Sequence, residues 1–405
     1  MRTTFPRVSR FVALLLILPA LFAACTPRTP PTPGAPRSSV TAREAERESE
    51  RETIDSTPRL RHATNLQIAP ISGGVEIAIP EPWAGGAPIR YAVMTGAHKP
   101  DAGGHQAVIR ATPQRVVVMA TPVIAHLRDL GLLDALVAVD NGDYIFDETV
   151  RRRIADGRVS VVGGGAELDL ERVVALRPDL VLLSALGPDD AAVRRFQAVG
   201  VPVVVVADWR EQTPLGRAEW ILVLGSLFGR MDEAEAIFAE RERDYLRLRD
   251  IASEVSPADR PRVMANGPWQ GSWPVPAGDS YMARLFADAG GRYLWDDLSG
   301  AGSHFLDLES VLERAGDADV WVNLNFDWRT RADVQRTDSR LALFRPFAAG
   351  RMYHHDLRVN AAGASDFWES GATRPDLVLA DLVSIVHPDL LPDHERVFYR
   401  RLPGP

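Results

Sequence analysis

The chain has 405 residues, long enough for two or three domains, and is 46% hydrophobic and 25% charged, an ordinary balance for a globular protein. A formal net charge of −8 argues against nucleic acid as a partner, which wants a basic face. A single cysteine, Cys25, excludes an internal disulfide framework.

Residues 1–24 read as an export signal. Arg2, Arg7 and Arg10 precede FVALLLILPALFAA, an apolar run of 14 residues, short of the ~20 that a membrane span needs. The run closes on Leu21-Phe22-Ala23-Ala24-Cys25, which resembles the lipobox of bacterial lipoproteins. That resemblance implies acylation of Cys25 and a membrane anchor. Residues 25–59 are rich in Pro, Thr, Ser, Arg and Glu and predict a disordered tether. Over 60–112 the runs LQIAPI, GGVEIAIP and APIRYAVM alternate with period two and predict a small β-region.

Residues 113–230 alternate apolar strands with helices. RVVVMAT, ALVAVDN, VSVVGGG, LVLLSA and VPVVVVADW are strand candidates; the segments between them carry helical spacing, and Pro214–Phe228 continues as helix. Almost wholly apolar strands separated by helices mean a parallel sheet covered on both faces. Residues 231–254 predict one long helix. Ala234, Ile237, Phe238, Tyr245, Leu248 and Ala252 recur at helical spacing between Arg, Glu and Asp, without Gly or Pro. Residues 255–405 resume the alternation with PRVMANG, DVWVNLN and RMYHHD as strands. Helices are expected over Ser280–Gly290, Asp307–Arg314, Leu341–Phe347 and Pro375–Val386, and Pro268–Gly278 reads as a Trp/Gly/Pro-rich loop. The expected fold is α/β: two Rossmann-like lobes with parallel sheets, joined by one long helix and preceded by the small β-region.

The lobes echo each other. Leu168-Asp169-Leu170-Glu171 and Leu306-Asp307-Leu308-Glu309 each open a helix leading to a strand. Helix capping by Asp169 and Asp307, with a glutamate in each first turn, is a sufficient structural account.

The order RVVVMATPVIAHLRDLGLLDALVAVD, DLERVVALRPDLVLLSA, AVGVPVVVV, then the long helix, resembles the helical-backbone binding proteins of ABC importers, receptors for ferric siderophores, haem and vitamin B12. The resemblance runs from about Arg115 to the C-terminus, and PLGRAEWI and DFWESGATRPDLVLADLVSIVHPDLLP resemble its iron-complex branch. It implies a receptor without catalysis and without a resident cofactor, facing the periplasm and expected to act as a monomer. It would hand a metal chelate (ferric siderophore, cobalamin or haem) to a permease and its ATPase. It also makes Glu171 and Glu309 candidates for docking on permease arginines. Ligand is expected between the lobes, at loops after the strand C-termini: Met119, Thr121, Asn141, Asp143, Tyr144, Ser184, Trp209 and Arg210 in the first lobe, and Asn266, Trp269, Trp273, Asn325, Trp328 and Arg329 in the second. Trp and Tyr offer flat apolar contact with polar tips, and Arg can hold an anionic group. Phe367 and Trp368 could face the cleft or serve structure.

Other signals are weak. None of the nine histidines has a strong metal-ligand spacing, and His354 and His355, adjacent on a strand, are expected on opposite faces, so direct capture of a bare metal ion is not expected. Tyr144 or Tyr281 could ligate a haem iron. Gly163-Gly164-Gly165 fails GxGxxG, since Leu168 stands where the last glycine belongs. No nucleophile elbow or catalytic dyad is evident by spacing.

Overall fold

The computed structural model describes residues 60–96, 104–187 and 190–404. The expected signal, Cys25 and the tether lie outside the described residues.

The first element is a four-stranded sheet of β1 (Gln67–Ile71), β2 (Gly74–Ile79), β3 (Ile89–Met94) and β4 (Ala107–Arg110), antiparallel except for the parallel β3–β4 pair. Its buried face carries Ile77, Ile79, Tyr91 and Ile109. The hydroxyl of Tyr91 accepts a hydrogen bond from the Val205 amide (3.1 Å), tying this sheet to the first lobe.

That lobe runs β5 (Val116–Met119), α1 (Thr121–Asp129), β6 (Leu136–Val139), α2 (Glu148–Ala155), β7 (Ser160–Val161), α3 (Leu170–Leu176), β8 (Leu180–Leu183), α4 (Ala191–Ala198), β9 (Val203–Val205), α5 (Pro214–Glu219) and α6 (Ile221–Phe228). The sheet order is β7-β6-β5-β8-β9, all parallel. Both faces are covered, as the apolar strands require: Val116 and Val118 join one buried cluster and Val117 another. The segment read as one helix over Pro214–Phe228 breaks at Trp220, which closes α5 and opens α6.

α7 (Met231–Ser253) is the long helix, 23 residues and about 35 Å. It buries Ala234, Phe238, Arg241, Tyr245, Leu248 and Ala252 and packs against α6 of the first lobe and α12 (Pro375–Val386) of the second. Arg241 is ion-paired with Asp129 of α1. The hydroxyl of Tyr245 donates to Asp288 in the second lobe (2.7 Å). One helix is thus bonded to both lobes.

The second lobe runs β10 (Arg262–Ala265), β11 (Trp273–Pro276), α8 (Tyr281–Asp288), β12 (Arg292–Tyr293), β13 (Ser303–Leu306), α9 (Leu308–Ala315), β14 (Val320–Val322), α10 (Arg331–Thr337), α11 (Arg345–Ala349), β15 (Met352–His354), then α12 and β16 (Arg400–Arg401). The main sheet has the order β12-β10-β14-β15-β16, parallel except for the antiparallel edge strand β16. The expected loop Pro268–Gly278 contains β11, which pairs antiparallel with β13 in a two-stranded ribbon. Two prolines in β11 are tolerated because a ribbon edge need not donate every amide.

One apolar cluster passes from the β-region through α6 and α7 into the second lobe. The lobes therefore share a core, and shared close-packed contacts resist wide separation.

Candidate functional site

In both main sheets the loops leave from the strand C-termini, and among the described residues those loops carry five of the six exposed large aromatics, the sixth being Phe305 on the β11–β13 ribbon. Tyr144 follows β6, Trp209 follows β9, Trp269 follows β10, Phe326 follows β14 and Trp368 follows β15; they are 36–64% exposed. Of the nine tryptophans, these three are the exposed ones among the described residues; Trp220, Trp273, Trp295, Trp321 and Trp328 are fully buried. An aromatic left in water at five loop tips on one side of two sheets is a surface prepared for a flat, partly apolar ligand.

The backbone supports the same end of the second lobe. Asn266 and Asn323, directly after β10 and β14, have positive φ of 65° and 55°, a conformation that asparagine tolerates better than most residues. Each is held there. Asn266 donates from Nδ2 to the Pro274 carbonyl (2.9 Å), and its own carbonyl accepts from Trp321 Nε1 (2.6 Å). Asn323 Oδ1 accepts from the Tyr399 hydroxyl (2.6 Å). Strain of this kind gathers where loops are positioned for function.

The segment between β15 and α12 crosses to the first lobe. The Glu369 carboxylate accepts from the Phe146 amide (2.8 Å) and the Asp147 amide (3.0 Å). Asn360 Nδ2 donates to the carbonyls of Asp143 and Ile145, both 2.8 Å. The Thr121 hydroxyl donates to the Trp368 carbonyl (3.2 Å), and Arg128 Nη1 to the Ser370 hydroxyl (3.1 Å). Arg358 lies 5.1 Å over the Phe146 ring. Burial pushes the Glu369 carboxyl up to about 7, helped by the nearby charges of Asp366 and Asp147 and opposed by the two amides. Beside this strap, Arg217 donates to Asp208 (3.0 Å) and lies 4.8 Å over the Tyr281 ring. Arg217, Tyr281, Leu285, Phe367 and Trp368 line a small apolar pocket between the lobes.

The residues expected in the cleft divide into four groups. Tyr144, Trp209 and Trp269 stand exposed at strand ends. Asp143 is exposed, and Met119, Thr121, Asn141, Ser184, Asn266 and Asn325 are partly buried in those loops; several are committed to the protein, Asn141 capping the turn Gly142–Tyr144, Asn325 donating to the Pro268 carbonyl, and Thr121 held by the strap. Arg210 and Arg329 are engaged elsewhere, with Glu81 of the β-region (2.7 Å) and Asp356 (2.9 Å). Trp273 and Trp328 are core residues and must be struck from the site: Trp273 donates to the Ala265 carbonyl and packs on Trp321, and Trp328 donates to Thr337. Their register or loop position buries the ring under the second sheet. Phe326, Asn360 and Glu369 were not expected. An apolar residue in Asn-Phe-Asp-Trp just after a strand was the available signal for Phe326; nothing local marks the cross-lobe partners. Trp368 faces outward while its neighbour Phe367 is buried.

Asp169 and Asp307 cap α3 and α9, accepting from the amides of Arg172 (3.0 Å) and Ser310 (2.7 Å). Glu171 and Glu309 sit exposed in the first turns, with Glu309 bonded to Arg340 (2.5 Å). Tyr281 is partly buried, with the Arg217 guanidinium over its ring. Among the described residues, no three His, Cys, Asp or Glu side chains converge as a metal site, and no helix is long and apolar enough to cross a membrane.

The chain is similar to an uncharacterized lipoprotein of Methanocaldococcus jannaschii, 23% identical over 307 residues, covering 73% of this chain and 70% of that one. It is also similar to a cobalamin-binding protein of Halobacterium salinarum, 27% identical over 229 residues, covering 55% and 57% of the two chains. Its fold is that of a possible iron-binding periplasmic solute-binding protein of Staphylococcus epidermidis, with a TM-score of 0.54 at 16% identity over 68% of this chain and 99% of that one. Residues 116–347 match the family described as periplasmic binding protein, which takes in most of both lobes and the whole of α7; the chain is a member of that family.

Proposed function

We propose that the protein is the extracytoplasmic receptor of an ABC importer, taking a metal chelate into the cleft between its lobes and presenting it to a permease and its ATPase. The observation that carries this reading is the set of exposed aromatics, Tyr144, Trp209, Trp269, Phe326 and Trp368, at strand C-termini of both lobes. Rings of that size suit a bulky ligand with apolar flanks better than a free ion. Function here is affinity and docking, with no catalytic step. Acylated Cys25 would hold the receptor at a membrane surface, and the exposed Glu171 and Glu309 would meet permease arginines, giving register and steering more than raw affinity.

A ferric chelate of siderophore type is the first reading of the cargo. Cobalamin is the second, favoured by the 27% identity to a cobalamin-binding protein; haem belongs to the same chemical range. Calorimetric titration of the full-length chain in detergent with ferric siderophores, haemin and cobalamins tests the proposal. One chelate should bind saturably at one site per chain. Absence of heat with every chelate, alongside a folded protein, would overturn it.

A further inference from the structure

The four-stranded sheet β1–β4 lies outside residues 116–347, the part of the chain that matches the family. It is nevertheless tied to the loop that follows β9, and two buried carboxylates receive the segment that leads into it. Glu219, at the end of α5, is fully buried and accepts from three successive amides, Arg61 (2.8 Å), His62 (2.8 Å) and Ala63 (2.7 Å). Glu211, 2% exposed, accepts from the Thr64 amide (2.9 Å) and hydroxyl (3.1 Å), the Asn65 amide (3.0 Å) and Trp220 Nε1 (3.0 Å). Gly216 lets the segment lie close on α5, since a Cβ there would stand 3.0 Å from the His62 carbonyl oxygen. A buried carboxylate stripped of its donors is costly, so both acids require residues 61–65 in place.

A second tie reaches the cleft itself. Asn65 Nδ2 donates to the Glu81 carbonyl, and Asn65 Oδ1 accepts from the Glu81 amide, both at 2.8 Å. These bonds fix Glu81 in the turn between β2 and β3. The Glu81 carboxylate accepts from the Gly85 amide (2.8 Å) and pairs with Arg210 (2.7 Å). The Arg210 guanidinium in turn lies 5.6 Å over the Trp209 ring. Three successive residues of one loop, Trp209, Arg210 and Glu211, are thus held from outside their own lobe.

We propose that the β-region is a brace for the first-lobe wall of the cleft, with Glu81 a positioning residue that sets Trp209 through Arg210. This rests on the receptor reading above only in taking Trp209 as a cleft residue. Glu211 and Glu219 give the brace its strength, and Glu81 gives it direction. Without that carboxylate the arginine is free to swing away, and the indole loses the cation that backs it. The wall is then ordered before cargo arrives, which lowers the ordering cost of binding.

The test uses the full-length chain in detergent. It reads hydrogen exchange over residues 207–213 and acrylamide quenching of Trp209, isolated by difference from Trp209→Phe. In Glu81→Ala, exchange over that segment should rise about threefold and Trp209 should quench more readily. The melting temperature and exchange over residues 320–323 should stay as in wild type. The contrast with wild type should shrink as salt rises from about 0.05 to about 1 M, because an exposed pair is screened; a loop disturbed only by lost packing would keep it. Glu211→Gln turns a donor toward the Thr64 and Asn65 amides and should speed exchange at both by about tenfold or more. Unchanged exchange in either variant, or a salt-independent change in Glu81→Ala, overturns the brace and leaves the receptor reading standing. Exchange that rises as expected, in a wild type that binds none of haemin, cyanocobalamin and ferrioxamine B, keeps the brace and removes the receptor reading.

Discussion

Trp269 and Trp328 illustrate how one residue type serves two purposes. The first is 59% exposed at a loop tip; the second is fully buried with its indole N–H on Thr337. Trp269→Ala should weaken chelate binding about tenfold, as loss of an aromatic anchor does, and leave the melting temperature nearly unchanged. Trp328→Ala should cost about 3–5 kcal/mol of stability. Denaturation and titration of both variants check this; a binding loss confined to Trp328→Ala would reverse the assignment. The sequence could place both tryptophans in loops after strands, but burial depends on which way each loop turns, and that is decided by distant partners. Glu369 has its own signature. Below pH 4.5 its carboxyl is protonated in both folded and unfolded chains. Between there and about 7 only the folded chain holds the proton, so stability falls as pH rises through that window. The shift corresponds to a loss on the order of 3 kcal/mol. His126, held by burial and by Arg241 at about 3, works the other way, its contribution lost as pH falls below 6.5. Glu369→Gln should match wild type near pH 4.5 and gain on it by pH 8. Chemical denaturation at both values checks this, and a constant difference would contradict it.

At the scale of elements, the parallel strands and α7 were legible because their patterns are local. RVVVMAT and LVLLSA are apolar enough to be buried on both faces, and α7 runs Met231–Ser253 with the expected stripe buried except for Ile237, which is half-buried, and with Arg241 buried beside it. The β11–β13 ribbon was not legible. Trp273-Pro274-Val275-Pro276 carries two prolines, and its register, Trp273 opposite Leu306 and Pro276 opposite Ser303, comes from a segment about 30 residues away. The strap was hidden for a related reason. Asn360 grips its own loop through the amides of Ala362 and Ala364 and the other lobe through the carbonyls of Asp143 and Ile145. Asn360→Ala should therefore speed hydrogen exchange at Ala362 and Ala364 by about tenfold or more, since each lost bond contributes on the order of 1 kcal/mol. Unchanged protection would mean that the strap is held without Asn360, by Glu369 and the bonds from Thr121 and Arg128.

For the whole molecule, a core continuous through α7 and a strap across the lobes leave little room for a swing. Small-angle scattering with and without bound chelate should give nearly superimposable curves; a large compaction on loading would show that α7 does not brace the lobes. Docking belongs to this scale too. Reversing both Glu171 and Glu309 to Arg should abolish permease-dependent uptake and leave chelate affinity intact. Uptake at the normal level would remove those glutamates from the interface.

The claim on which the rest depends is that cargo sits between the lobes, among the loop-tip aromatics. Crystals of the chelate-loaded protein, measured at the absorption edge of the bound metal, locate it directly. The account predicts one anomalous peak between the loops after β6 and β9 on one side and those after β10, β14 and β15 on the other. A peak on an outer face, or none in crystals that demonstrably contain chelate, would contradict it.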